Sequence, residues 1–340
     1  MKPAAILARG YFGTSKAKTA HGLIRHGKIF QIKEVVDETL AGKDAGEILG
    51  LGKLGIPIVK DFSKDIDSLI IGIAPPGGKL PKKWRADIKR AIKYGINIVS
   101  GMHEFLSNDK ELATLAKKYS VKIWDVRKYN GKLELAKGYK HKVPVVLVAG
   151  TDSCVGKRTT ALELVKVAQK KGLNAGFVAT GQTGIMIGCD AGVAVDAIPS
   201  DFVSGIVEKM VKRVSAKKEI IFVEGQGSLL HSAFGAVALG ILHGTKPEYV
   251  IVVHDPARNY RNSYPEKIPK LESEIEAIQR LGNTKVIGIS LNCQNVTSWE
   301  KIVGEYERKY KLPATDVLRD KEGADKLLKA IVAKIESKVE

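Results

Sequence analysis

Cysteine is scarce, aromatic residues are few and long apolar runs are missing, and each shortage closes off a class of protein. Three cysteines (Cys154, Cys189 and Cys293) among 340 residues, with no paired spacing, give neither a disulfide framework nor the ligand pattern of a zinc site. Apolar runs stop at about eight residues, as in 143–149, far short of the ~20 that span a bilayer. The apolar part of MKPAAILARG is too short for a signal peptide, and Arg9 interrupts it. A soluble, cytoplasmic protein with no membrane partner is the expectation. What is present is ordinary globular material: 44% apolar, 27% charged and only 6% aromatic residues, enough for two domains with their own cores.

Charge is strongly one-sided and unevenly placed. The net +18 falls mostly in residues 1–142, with 28 Lys and Arg against 14 Asp and Glu; residues 143–340 carry 27 against 23. A basic region attracts nucleic acid or a small anion such as a nucleotide or coenzyme. The lysines are scattered through helical segments, with no Arg-rich block and little aromatic interleaving. Solvated faces and a small anionic ligand are therefore expected rather than nucleic acid. High Lys with few Gln, Cys and Met is also thermophile-like usage.

The charge shift near residue 142 divides the chain into 1–142 and 143–340. In the first part, short apolar strands (4–8, 67–73, 96–99 and 121–125) alternate with helical spacing over 84–94 and 112–119. The strand at 67–73 is bounded by APPGG, which must terminate it. Alternation of this kind predicts a parallel sheet covered by helices, a Rossmann-like domain. Gly10, Gly13 and Gly22 do not make G-x-G-x-x-G, and Asp37 alone is a weak ribose signal, so NAD chemistry is not supported. The first turn reads as a strand-to-helix turn. A ligand crevice there, beside Thr14, Ser15, Lys16, Lys18, Thr19 and His21, stays open.

The second part opens with KVPVVLVAGTDSCVGKRTTALELVKVAQKKG: a buried strand, a glycine loop, Lys157 and an amphipathic helix. That order is the context of a phosphate-binding P-loop, in which loop N–H groups and a helix N-terminus surround an anion. Gly150, Thr151, Asp152, Ser153, Cys154, Val155, Gly156, Lys157, Arg158, Thr159 and Thr160 are the expected cofactor-binding residues. Five residues rather than four separate Gly150 from Gly156, as in dethiobiotin synthetase, which this loop resembles. Arg158 stands at the usual hydroxyl position, moving Thr159 and Thr160 along by one. Glu224, at the end of the strand 219–223, is where a general base or a Mg2+ ligand is expected, with Thr159 as the accompanying hydroxyl. VEGQGSLL resembles the corresponding synthetase segment, and Asn292 matches its adenine-reading Asn. The run Thr180, Gly181, Gln182, Thr183, Gly184 reads as a polar loop that lets a ligand approach the backbone, with Asp190 following. Ile185, Met186 and Ile187 read as core. His231 and Lys157 join Glu224 as catalytic candidates, and Arg258 and Arg261 suit a substrate carboxylate. Nothing matches a hydrolase motif.

The segments AKTAHGLIRH, VSGMHEFL, GTDSCVGKRTTALEL, ATGQTGIMIG, DAGVAVDAIPSDFVSG, VEGQGSLLH and LGILHGTKPE together resemble the D-glutamate N-acetyltransferase-like family, formerly known only as a domain of unknown function. The resemblance runs from about Ala4 to Asn292. It implies a Rossmann-like N-terminal domain followed by a P-loop NTPase-like domain, acetyl-CoA as cofactor and an amino acid such as D-glutamate as substrate. The P-loop would then hold the nucleotide part of coenzyme A. An ATP- and Mg2+-dependent ligase or kinase, and a non-catalytic nucleotide sensor, are the alternatives. A homo-oligomer is expected.

Overall fold

Strands built from Val, Ile and Ala on both faces cannot meet water on either side, so the sheets they form must be covered by helices. The computed structural model describes residues 1–74 and 78–337. The turn expected at Pro75, Pro76 and Gly77, and residues 338–340, lie outside the described residues. Two compact units result: 1–130 together with 182–188, and 131–181 together with 189 onward.

In the first unit, β1 (Lys2–Leu7), β2 (Phe30–Val36), β3 (Ile58–Val59), β4 (Ser68–Ile71), β5 (Asn97–Ser100) and β6 (Ile123–Asp125) are all parallel. Their order, β3-β2-β1-β4-β5-β6, is that of the doubly wound dinucleotide-binding fold. Helices α1 (Lys18–His26), α2 (Ala45–Ile48), α3 (Arg85–Lys93) and α4 (Lys110–Lys118) alternate with them. Ala4, Ile6, Leu69, Ile70 and Ile98 are fully buried, as their two-sided apolar pattern requires. Asp37, at the end of β2, is completely buried and accepts from the amide of Phe12 (2.8 Å) and from the amide and hydroxyl of Thr39 (3.0 and 2.6 Å). Burial alone would raise its pKa, but these hydrogen bonds outweigh that and hold it below the usual carboxylate value. The carboxylate that a dinucleotide fold would turn toward a ribose here closes the protein's own turn.

The second unit contains β7 (Val145–Gly150), α5 (Lys157–Lys170), β8 (Ala175–Ala179), β9 (Ala191–Gly192), α7 (Ser200–Ser215), β10 (Ile220–Glu224), α8 (Gly235–Thr245), β11 (Tyr249–His254), α9 (Leu271–Gly282), β12 (Lys285–Leu291), α10 (Trp299–Tyr310), β13 (Ala314–Thr315) and α11 (Gly323–Glu336). Between β8 and β9 the chain contributes α6 (Gln182–Ile187) to the first unit. The sheet is parallel throughout in the order β13-β12-β11-β7-β10-β8-β9. Strand β7 therefore sits between β11 and β10, and the loops after all three rise at one edge. In open parallel sheets that edge is where ligands bind.

One expectation fails. Residues 180–184 are not a single loop. Gln182, Thr183 and Gly184 begin α6 and are buried in the first unit, where the Thr183 hydroxyl meets that of Thr19 at 2.9 Å. Burial of Met186 and Ile187 overrides the weak helix propensity of Gly and Thr.

The segment leading into β7 is strapped to the second unit by Glu208 of α7. Its carboxylate accepts from the amides of Lys137 (2.8 Å), Gly138 (2.6 Å) and Tyr139 (3.0 Å). Glu208→Ala leaves three amides without their acceptor and is expected to lower stability by about 1–3 kcal/mol. Hydrogen exchange should then accelerate at 137–139 and not in β7; unchanged protection there would contradict this anchoring role.

Candidate functional site

Gly150 ends β7 pressed against its neighbours: a Cβ there would lie 2.8 Å from the Val253 carbonyl oxygen. The loop returns to the helix through Gly156, whose φ of +115° few side chains tolerate. Cys154 also has a positive φ, +56°. The first turn of α5 thus presents its amides over the end of the strand, the geometry that receives phosphate.

Lys157 is buried, and its ammonium donates to the carbonyls of Asp152 (2.5 Å) and Gly227 (2.7 Å). A buried ammonium must be hydrogen-bonded, and here the loop itself supplies acceptors. Asp152 is fully buried; its Oδ2 accepts from Arg258 (3.0 Å) and from the amide of Asn262 (2.7 Å). Arg258 also donates to the Ser153 carbonyl (2.8 Å) and lies 3.2 Å from Asp255. Arg261 is buried, donating to the carbonyls of Thr151 (3.2 Å) and Leu230 (2.5 Å), with Glu266 3.2 Å from its Nε. Both guanidiniums therefore brace the P-loop. The carboxylates and carbonyls they hold are the protein's own, in place of the substrate carboxylate expected from sequence.

Glu224 ends β10, beside Val148 of β7, and is buried. Its Oε2 accepts from the Gly181 amide at 3.3 Å, and its carbonyl accepts from the Thr180 hydroxyl at 2.6 Å. Gln226 reaches back to the Thr180 carbonyl at 2.5 Å. Burial pushes the Glu224 carboxyl up, opposed mainly by the charge of Arg158 and less by that of Lys157. Thr180, Gly181, Glu224, Lys157 and Arg158 are thus brought together. Asp190 is not: it accepts from the Phe177 amide (2.8 Å) and pairs with Lys218 (3.1 Å), just before β10 and hence toward the opposite edge of the sheet.

His231 is enclosed. Its Nδ1 accepts from the Ala233 amide at 3.0 Å, which puts the ring proton on Nε2, 3.5 Å from Asp152 Oδ1 and without hydrogen-bond geometry. No lone pair is left to take a proton from a ligand. Thr160 is core, with its hydroxyl 2.8 Å from that of Ser290. Thr159 is half-buried. Among the described residues, no group of three or more His, Cys, Asp or Glu side chains could hold a metal ion by itself. No helix among the described residues is long and apolar enough to cross a membrane.

The comparisons agree with this architecture. A P-loop domain of unknown function, that of the DUF1611 family, matches residues 127–328, and the Rossmann-like domain of the same family matches 38–129. The chain belongs to this family. A D-glutamate N-acetyltransferase of a Pseudoalteromonas species is 37% identical over 269 residues, covering 77% of this chain and 80% of that protein. Another, from Tritonibacter scottomollicae, is 33% identical over 296 residues, covering 85% and 87%. The crystal structure of a DUF1611 family protein from Anabaena variabilis superposes with a TM-score of 0.91 at 33% identity, over 98% of this chain and all of that one.

Two further groups of this DUF1611 chain tie its loops together. Glu274 of α9, buried, accepts from the Ser228 hydroxyl (2.9 Å) and the Leu229 amide (2.7 Å), tethering the loop after Glu224. His254, at the end of β11, meets the Thr151 hydroxyl at 2.9 Å through Nδ1, and Asn292 donates its amide to the His254 carbonyl at 2.8 Å. Nothing in an amphipathic helix or a strand end marks these partners in advance.

Burial and the charge of Arg258 push His254 down to about 4. An unfolded imidazole titrates near 6.5, so the stability present above that value is lost as pH falls from there through about 4. The loss is expected to reach about 3 kcal/mol. Urea unfolding of the wild type between pH 6.5 and 4 should show a steeper pH dependence than His254→Asn, by up to about one proton. Equal slopes would contradict the neutral, buried imidazole.

Proposed function

We propose that this chain is an N-acetyltransferase that moves the acetyl group of acetyl-CoA to the amine of an amino acid such as D-glutamate. The observation that carries the reading is the meeting of Lys157, Arg158 and the buried Glu224 at one sheet edge. The names of the two curated relatives support the reaction class. Bound at this edge, acetyl-CoA supplies a thioester. Lys157 and the α5 amides take its pyrophosphate, since two glycines and a helix N-terminus fit phosphate and place no other demand on the ligand. Arg158, the cation whose charge Glu224 feels most, holds a carboxylate of the acceptor. Glu224 removes a proton from the acceptor ammonium, which has no lone pair until it does so. A carboxyl raised by burial is a stronger base for that task, and its neighbour Gly181 offers a small, close-approach backbone. His231 has no free lone pair and serves by shaping the loop around Asp152.

Purified protein incubated with acetyl-CoA, ATP, Mg2+ and D- or L-glutamate, with all products read by mass spectrometry, tests the reading. N-acetylglutamate and free CoA with ATP intact are expected. ADP formed with acetyl-CoA untouched would instead establish the ligase or kinase, and Glu224 with Thr159 would then be metal-facing. In the acetyltransferase, Glu224→Gln should lower kcat by about 100-fold or more while CoA affinity stays the same. Full turnover of that variant would remove Glu224 from the chemistry.

A further inference from the structure

A second opening lies at the end of β11, outside the roles assigned so far. It is an open depression of about 470 Å3, with His254 and Pro256 at the strand end and Tyr260, Lys267 and Ile268 among its walls. The far wall is a small hairpin. Tyr260 and Lys267 form an antiparallel bridge, Arg261 donates its amide to Glu266 (2.8 Å), and Ile268 donates to Asn259 (2.9 Å). The buried Arg261 fastens this hairpin to the P-loop through Thr151. Directly bridged residues project from one face with Cβ atoms about 5 Å apart, and both Tyr260 and Lys267 line the crevice.

The two cations of the crevice differ. Arg258 is neutralised by Asp152 and Asp255 and is tied to the P-loop carbonyls. Lys267 is exposed, and among the described residues no carboxylate lies within ion-pair distance of it. Tyr260 is 52% exposed, a large face left to water. Arg258 lines the crevice and donates to Asp152 and Ser153 of the P-loop, so crevice and P-loop adjoin at this side chain.

We infer that this crevice receives the adenosine 3′-phosphate end of coenzyme A, with Tyr260 stacking on the adenine and Lys267 pairing with the 3′-phosphate. The inference rests on the acetyl-CoA reading above. It assigns Lys267 a role the P-loop cannot perform: a pyrophosphate cradle holds ADP, ATP and CoA alike, and only CoA carries a phosphate at this ribose position.

Calorimetric titration of the full chain with CoA, 3′-dephospho-CoA and ADP tests it. Wild type should bind CoA about tenfold or more tighter than 3′-dephospho-CoA, the size expected of one charge-assisted contact. Lys267→Ala should erase that preference and leave 3′-dephospho-CoA affinity as it was. Tyr260→Ala should weaken both ligands about equally, by about tenfold, because stacking ignores the phosphate. Equal wild-type affinities for the two ligands, or a Lys267→Ala variant that weakens both alike, would overturn the crevice assignment while leaving acetyl transfer in place. Absence of any CoA binding would overturn the assignment and the acetyl-CoA reading together. Lys267 is an exposed hairpin residue, and an unchanged melting temperature of its variant confirms that the fold is not the cause.

Discussion

The ammonium of Lys157, buried between the carbonyls of Asp152 and Gly227, is the contact on which the second unit's binding edge depends. It joins the loop after β7 to the loop after β10, so the phosphate cradle and the segment following Glu224 share one cation. Around it the protein has arranged compensation. Arg258 and Asn262 satisfy one oxygen of Asp152, Arg261 holds Thr151 and Leu230, and Glu274 holds Ser228 and Leu229. Buried polar groups are costly unless paired, and nearly all of these are. The exceptions are Arg261 Nε and the pair Asp152 Oδ1 and His231 Nε2, which lie 3.5 Å apart without a hydrogen bond.

That arrangement separates positioning from chemistry. Arg258, Arg261, His231 and Glu274 hold loops in place, whereas Lys157, Arg158 and Glu224 are the groups assigned to the ligand in the proposed acetyl transfer. Glu224 combines burial, which raises its proton affinity, with the nearby charge of Arg158, which limits the rise. In the proposed acetyl transfer, the same arginine attracts the acceptor and moderates the base.

The parts of the molecule legible in its sequence are those governed by local rules. Apolar runs such as Val145–Gly150 and Tyr249–His254 can only be buried parallel strands, and Gly156 marks a backbone conformation that few other residues adopt. The P-loop followed from these. Partner choice did not. Arg258 and Arg261 have the chemistry of a carboxylate clamp, yet tertiary contacts commit them to Asp152, Thr151 and Leu230. Gln182, Thr183 and Gly184 look like a ligand loop, but the apolar residues behind them pull the segment into a helix of the first unit. The Tyr260–Lys267 wall is invisible in sequence because seven positions separate residues that only a hairpin makes adjacent.

A crystal structure of the chain with coenzyme A bound tests the central claim most directly. The account predicts that the Lys157 ammonium lies within hydrogen-bond distance of a pyrophosphate oxygen, having left at least one of the Asp152 and Gly227 carbonyls. A complex in which Lys157 still bridges both carbonyls, with the coenzyme bound elsewhere, would contradict it.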